Sequence, residues 1–297
     1  METTTTAQKH KAMAYMLLCA LLWSIGGIFI KSIPWSSFAI AGARSLIAAM
    51  VIGCYIAIRR FRFMITKKTL IMMACLSMTY FAFITATKLT TAANAIVLQF
   101  TAPLYVLMYN GLFRKQKLHV ADYVVVAVTI LGVAVCFLGD LGQGGSLLGN
   151  LIALFSGITF AGMLISTGSA PEEERASGLI QGQALTALIG MPFFFAEGAQ
   201  LTVTSGLCIL ALGVLQLGFA FVLYSLAARH CPPLACSLLG ALEPLLNPIW
   251  VAVFAGEVPG ALSLTGGLIV VLAVSLWCVY DDRRSQKEAN SPNAAAA

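Results

Sequence analysis

The sequence predicts an all-α integral membrane protein, with ten transmembrane helices in two inverted five-helix repeats around a central cavity. Three observations carry this expectation. Hydrophobic residues make up 59% of the 297-residue chain and charged residues only 10%, where a soluble domain carries about 25% charged residues. The mean hydropathy is +0.89. Apolar stretches of roughly 20 residues, the length that crosses a bilayer core as a helix, recur along the whole chain. So few ions cannot wet the surface of a soluble enzyme. The same composition argues against a disordered chain and against a nucleic-acid binder with a basic face.

The stretches cover 12–33, 36–58, 69–87, 91–113, 120–139, 146–169, 176–196, 204–228, 233–256 and 261–280. Lys31 and Pro34 close the first. Arg59, Arg60 and Arg62 close the second, and Lys67 and Lys68 open the third. Lys88 with Thr90 and Thr91 makes a tight link from the third to the fourth, which ends at Arg114, Lys115 and Lys117. A glycine-rich run from Gly139 to Gly145 separates the fifth from the sixth. Pro171 to Arg175 separates the sixth from the seventh and reads as a solvated turn. The weakest break, Ala228 to Pro233, divides the eighth from the ninth. Barrel strands would alternate apolar and polar residues; these segments are apolar on every side, so helices are expected. The first stretch is too long for a signal-peptide core and reads as an uncleaved helix.

The expected organisation is a cytoplasmic tail over 1–11, a first five-helix repeat over 12–140, a second over 146–281 and a disordered cytoplasmic tail over 282–297. Placing the amino terminus inside leaves fifteen lysines and arginines on the inner side. Lys31 and Lys88 lie outside, and Arg44 lies within a span. Basic residues collect on the cytoplasmic side of membrane proteins, so both termini are expected in the cytoplasm and the chain in the inner (cytoplasmic) cell membrane. Of the eight cysteines, six lie inside apolar runs and no CxxC pair occurs. They read as small buried residues, and no metal or cofactor is expected.

An odd number of spans in each half inverts the second half relative to the first. A shift of 141 residues lays Leu98 on Leu239, Pro103 on Pro244, Leu104 on Leu245 and Phe113 on Phe254. Two such halves can exchange inward- and outward-open forms at similar energy, which is the physical basis of alternating access.

The stretches Ala86–Pro103 (ATKLTTAANAIVLQFTAP) and Ala227–Pro244 (AARHCPPLACSLLGALEP) resemble the paired signatures of EamA-type transporters of the drug/metabolite transporter superfamily. So do Leu22-Trp23-Ser24, Ala43-Arg44-Ser45 and Phe254-Ala255-Gly256-Glu257. The likeness covers about residues 12 to 281. It implies ten helices around a central cavity and secondary transport of small metabolites, often outward. One departure is Gln116, where the family often has glutamate after the fourth span; Glu257 keeps it in the second half.

Ionisable residues inside a span are expensive and mark function. Two lie deep here, Arg44 and Glu243. Their depths differ by about 5 Å at the rise of an α-helix. Three readings of the pair stay open: a structural role in which the two pair with each other or with backbone carbonyls, a Glu243 carboxylate that binds an amine or other cation, and a Glu243 proton site. Pro244 and Pro248 leave carbonyls of the ninth span without helical partners, and Pro103 does the same in the fourth. Matching broken helices point to a binding site at the bilayer midplane. Gln99, Gln216 and Asn247 add amides; Trp23, Tyr80, Tyr105, Tyr224 and Trp250 add aromatic faces well inside spans. Together these twelve side chains and Pro103 make the candidate site.

The expected function is secondary active transport of a small neutral, zwitterionic or monocationic metabolite, such as an amino acid or amine, with export and proton coupling as its mode. A non-coupled facilitator or channel is the alternative, and a membrane-embedded enzyme the third class. No GxxxxGK or HExxH motif occurs. The expected partners are the lipid bilayer, a small-molecule substrate and protons. Oligomeric state is not legible.

Overall fold

The computed structural model describes residues 6–115, 118–141, 146–168, 170–227, 230, 239–256 and 258–289. Among them every regular element is a helix. Nine helices are long and apolar enough to cross a membrane: Gln8–Ser32, Ser37–Arg59, Lys67–Leu89, Ala92–Leu112, Val120–Gly139, Leu147–Thr167, Glu172–Ala196, Val203–Ala227 and Ala261–Tyr280. A shorter one, Leu242–Ala255, falls between the last two. In chain order these are the first to tenth spans, the short helix being the ninth. Residues 231–238 and Gln116, Lys117 and Glu257 lie outside the described residues, as do 142–145 and 290–297. Most of the expected break at Ala228–Pro233 therefore lies outside them too. The first helix starts at Thr6 and the last continues to Ala289, so helix extends into segments read from sequence as tails.

Polar contacts define the two ends of the bundle. At the end nearer the termini, Arg284 Nη1 donates to Asp122 Oδ2 at 3.1 Å and Trp277 Nε1 donates to Asp122 Oδ1 at 2.8 Å. Here too the Pro171–Arg175 segment departs from the solvated turn expected of it. Pro171 caps the seventh span, whose first turn holds Glu172, Glu173 and Glu174, where carboxylates meet the positive end of the helix dipole. Tyr55 Oη donates to Glu172 Oε1 at 3.1 Å and Thr66 Oγ1 donates to Glu174 Oε1 at 2.5 Å. The segment is a docked helix start.

At the distal end, Lys31 Nζ donates to the Thr90 carbonyl at 2.9 Å and Lys88 Nζ donates to the Ile33 carbonyl. Thr90 Oγ1 donates to Asn150 Oδ1 at 2.8 Å, and Trp35 Nε1 donates to the Gln200 carbonyl at 3.1 Å. Beneath these contacts Ile30, Ile33, Ile40, Ile84, Ile96 and Leu212 are buried in one apolar cluster.

The second span packs along the seventh and the fifth along the tenth. The third packs on the sixth and seventh, the eighth on the first and second, and the fourth and ninth on the sixth and first. Each pair maps onto itself or another when span numbers move by five. Gly42 and Gly190 bring the second and seventh spans into backbone contact: a Cβ on Gly42 would stand 2.4 Å from the Gly190 carbonyl carbon.

Three spans are interrupted. The fourth is split into Ala92–Gln99 and Ala102–Leu112, with Pro103 in the first turn of the second piece. The ninth turns at Ala241, three residues before Pro244, as Phe100 stands three before Pro103. The cause is common to both: proline lacks the N–H that would bond four residues back. Pro248 sits inside the helix Leu242–Ala255 without breaking it. The first span is interrupted at Ile25, before Gly26. The eighth widens into a π-helix over Ala211–Phe219. On its inner side a Cβ on Gly213 or Gly218 would press on Ile47 or Val51. These two glycines lie five apart, the spacing of π-helical bonds.

Candidate functional site: a two-lobed central cavity

The interrupted spans meet around a cavity. One lobe, with about 520 Å³ of empty space, is lined by Trp23, Arg44, Tyr80, Gln99, Gln216 and Glu243, with Thr79, Phe160 and Phe221 among the rest of its wall. A second lobe of about 880 Å³ is lined by Trp23, Pro103, Tyr224 and Glu243 together with Met16, Phe100, Met163 and Ser275. Trp23, Phe160, Phe221 and Glu243 belong to both lobes, so they form the neck between them. Met16, Met163, Tyr224 and Ser275 come from the halves of their spans nearer the termini.

The structure thus brings six of the sequence-predicted residues into the first lobe, and adds Pro103 and Tyr224 in the second. The others lie elsewhere. Tyr105 is half-buried but outside the lining of both lobes. Trp250 Nε1 donates to Ser24 Oγ at 3.0 Å, which ties the ninth span to the first. Asn247 is buried against Gly27, where a Cβ would stand 2.4 Å from Asn247 Oδ1. Gly26 makes the same allowance for Gln216 Nε2, at 2.9 Å. The Gly26-Gly27 pair therefore seats two amides as well as letting helices approach. Pro244 and Pro248 line a separate apolar groove between the fourth, ninth and tenth spans.

Arg44 is 1% exposed. Its Nη1 donates to Gln216 Oε1 at 3.2 Å, and its guanidinium carbon lies 5.1 Å from the centre of the Tyr80 ring. Tyr80 Oη in turn accepts from Gln183 Nε2 at 2.8 Å. Arg44 Nε, though buried, has no hydrogen-bond partner. Among the described residues no carboxylate is within ion-pair distance of Arg44, and Glu243 has neither a hydrogen bond nor an ion pair. The structural-pair reading therefore does not describe this conformation: the two charges face one lobe without joining. The aromatic wall is continuous, with the Trp23 ring 5.8 Å from both Phe221 and Tyr224.

Sequence reasoning missed Phe160, Phe221, Thr79 and Met163. Apolar side chains in helices apolar all round carry no signal of which face meets a cavity. Among the described residues no group of three or more His, Cys, Asp or Glu is placed to hold a metal ion.

Residues 10–138 match the EamA-like transporter family. The first half is an EamA-like segment, and the chain is a membrane transporter. An uncharacterized transporter, YxxF of Bacillus subtilis, is 24% identical over 96% of this chain and 94% of its own length. The pseudopaline exporter CntI of Pseudomonas aeruginosa is 22% identical over 61% of this chain and 64% of its own length. A crystal structure of a protein matches with a TM-score of 0.65 over 92% of this chain and 98% of that one, at 18% identity, which shows the fold alone. The transporter is thus a multi-pass protein of the lipid bilayer that handles a small molecule, and these relatives are named as a transporter and an exporter.

Proposed function

We propose that this protein is a secondary carrier that moves a small zwitterionic or monocationic metabolite, such as an amino acid or amine, by alternating access. The observation that carries the reading is the pair of unjoined charges: Glu243 and Arg44 line one lobe, and neither is neutralised by the other. Leaving a buried charge unpaired is costly, and a substrate ammonium on Glu243 with a carboxylate near Arg44 would relieve both. The same carboxylate is the group on which a proton could replace a departing substrate, which would couple transport to protons.

Alternation is supported by the pairing of spans, which repeats when numbers move by five, and by the equivalent breaks before Pro103 and Pro244. Residues 12–140 and 146–281 are then two inverted repeats. We read the second lobe, lined by Met16, Met163, Tyr224 and Ser275 from the halves of their spans nearer the termini, as opening toward that end. With the basic residues concentrated at that end, the termini lie in the cytoplasm of a cell with this protein in its cytoplasmic membrane, and the form is inward-open. An exporter among the relatives supports the outward direction.

The test is counterflow in proteoliposomes preloaded with an amino acid or amine. Glu243→Gln is expected to abolish saturable exchange while the purified variant melts as a folded protein. Wild-type exchange in that variant ends the proposal. Non-saturable conductance in the native protein would point instead to a channel.

A further inference from the structure

We propose that the second lobe is a pocket for the apolar body of the substrate, so that the carrier selects amphiphilic zwitterions and amines over small hydrophilic ones. This deepens the reading above and rests on its charged head group at Glu243.

The two lobes differ in chemistry. The first holds the polar groups: Arg44, Tyr80, Thr79, Gln99 and Gln216. The second is walled by Met16, Phe100, Met163, Leu164, Tyr224 and Val274. Its charged lining residue is Glu243, and Glu243 belongs to the neck. A head group held there with its carboxylate toward Arg44 must send the rest of the molecule the other way, past Trp23 and Phe160 into the second lobe. The walls of that lobe surround about 880 Å³ of space, part of it open to solvent. A side chain as small as that of alanine would leave it to water against apolar walls.

The wall material suits a varied body. Methionines are unbranched and repack around different shapes. Met16 is 2% and Met163 3% exposed, so both are held in the wall rather than in solvent. The Trp23, Phe221 and Tyr224 rings line this lobe together with Glu243, and aromatic rings also favour a cationic head. Affinity should then follow apolar area, rising about fourfold for each buried methylene, while the head-group contacts stay constant.

The experiment is competition binding on the purified, full-length transporter with alanine, norvaline, norleucine and 2-aminooctanoate, and with the matching n-alkylamines. The variants are Met163→Trp and, in case that one fails to fold, Ser275→Phe, which enters the lobe from the tenth span. The wild type is expected to bind each series with rising affinity, about fourfold per methylene. The lobe-filling variants are expected to flatten the rise at the long members of each series. Equal affinity along both series, or an unchanged rise in both folded variants, overturns the body pocket while leaving the charged-head reading standing. Failure of every member of both series to bind the wild type overturns that head-group reading and the pocket with it.

Discussion

Gly42→Ala is expected to loosen the bundle, and Gly206→Ala to tighten it slightly. Both glycines lie inside helices, so intrinsic helix propensity favours alanine at each by about 0.5–1 kcal/mol. The structure separates them. A Cβ on Gly42 would stand 2.4 Å from the Gly190 carbonyl carbon and 2.5 Å from the Met191 nitrogen, whereas nothing lies within 4 Å of a Cβ on Gly206. Carbon atoms pack best at about 3.5–4.0 Å. Backbone cannot swing aside as a side-chain end can, so the second and seventh spans would have to part by about 1 Å. A gap of that size forfeits about a quarter to a half of the dispersion attraction of neighbouring contacts. Overpacking of this kind costs about 1–3 kcal/mol. At roughly 2 °C per kcal/mol for a chain this long, Gly42→Ala should lower the melting temperature in detergent by about 2–6 °C. Gly206→Ala should raise it by about 1–2 °C. Dye-monitored thermal unfolding reads both. Equal shifts in the two variants would refute the close approach of the second and seventh spans.

Other expectations concern the site and the ends of the bundle. Gln216→Leu removes the amide bonded to Arg44 and should weaken binding of a zwitterion by about tenfold, more than that of the matching amine, in the same competition assay. Ser24→Ala and Trp250→Phe should each cost about 1 kcal/mol, and the double variant should cost less than their sum, because both remove one hydrogen bond; thermal unfolding of the three variants checks this. Lys88→Met deletes one of the two ammonium contacts at the distal end. A Thr87→Cys reporter on a cysteine-free background, buried beneath that contact, should then react several-fold faster with an impermeant maleimide. Asp122→Ala removes the carboxylate that accepts from both Arg284 and Trp277 and should lower stability by about 1–3 kcal/mol, read as a lower melting temperature.

The membrane character and the succession of apolar helices were legible because charge and hydropathy act along the chain and need no tertiary information. Arg44 and Glu243 were legible for the same reason: an ion in an apolar helix stands out against its neighbours. The break before Pro103 could be read because proline's missing N–H is a local property. The π-helix at Ala211–Phe219 could not, since it arises where Gly213 and Gly218 meet the second span. Trp250 and Asn247 carried the same outward signal as Gln216, yet the Gly26-Gly27 surface and Ser24 draw them into contacts between the first and ninth spans. Phe160 and Met163 became wall residues through packing alone. The Pro171–Arg175 segment looked like a turn because its glutamates are charged; their partners Tyr55 and Thr66 are more than a hundred residues away.

The most direct test of the carrier account is the accessibility of the cavity neck from the two sides of the membrane. A single Phe160→Cys reporter, with the eight native cysteines replaced, would be labelled by an impermeant maleimide in right-side-out and inside-out vesicles. Alternating access predicts labelling from both faces, in proportions that shift when a bound amino acid or amine is added. Labelling from one face only, unchanged by any such ligand, would contradict it.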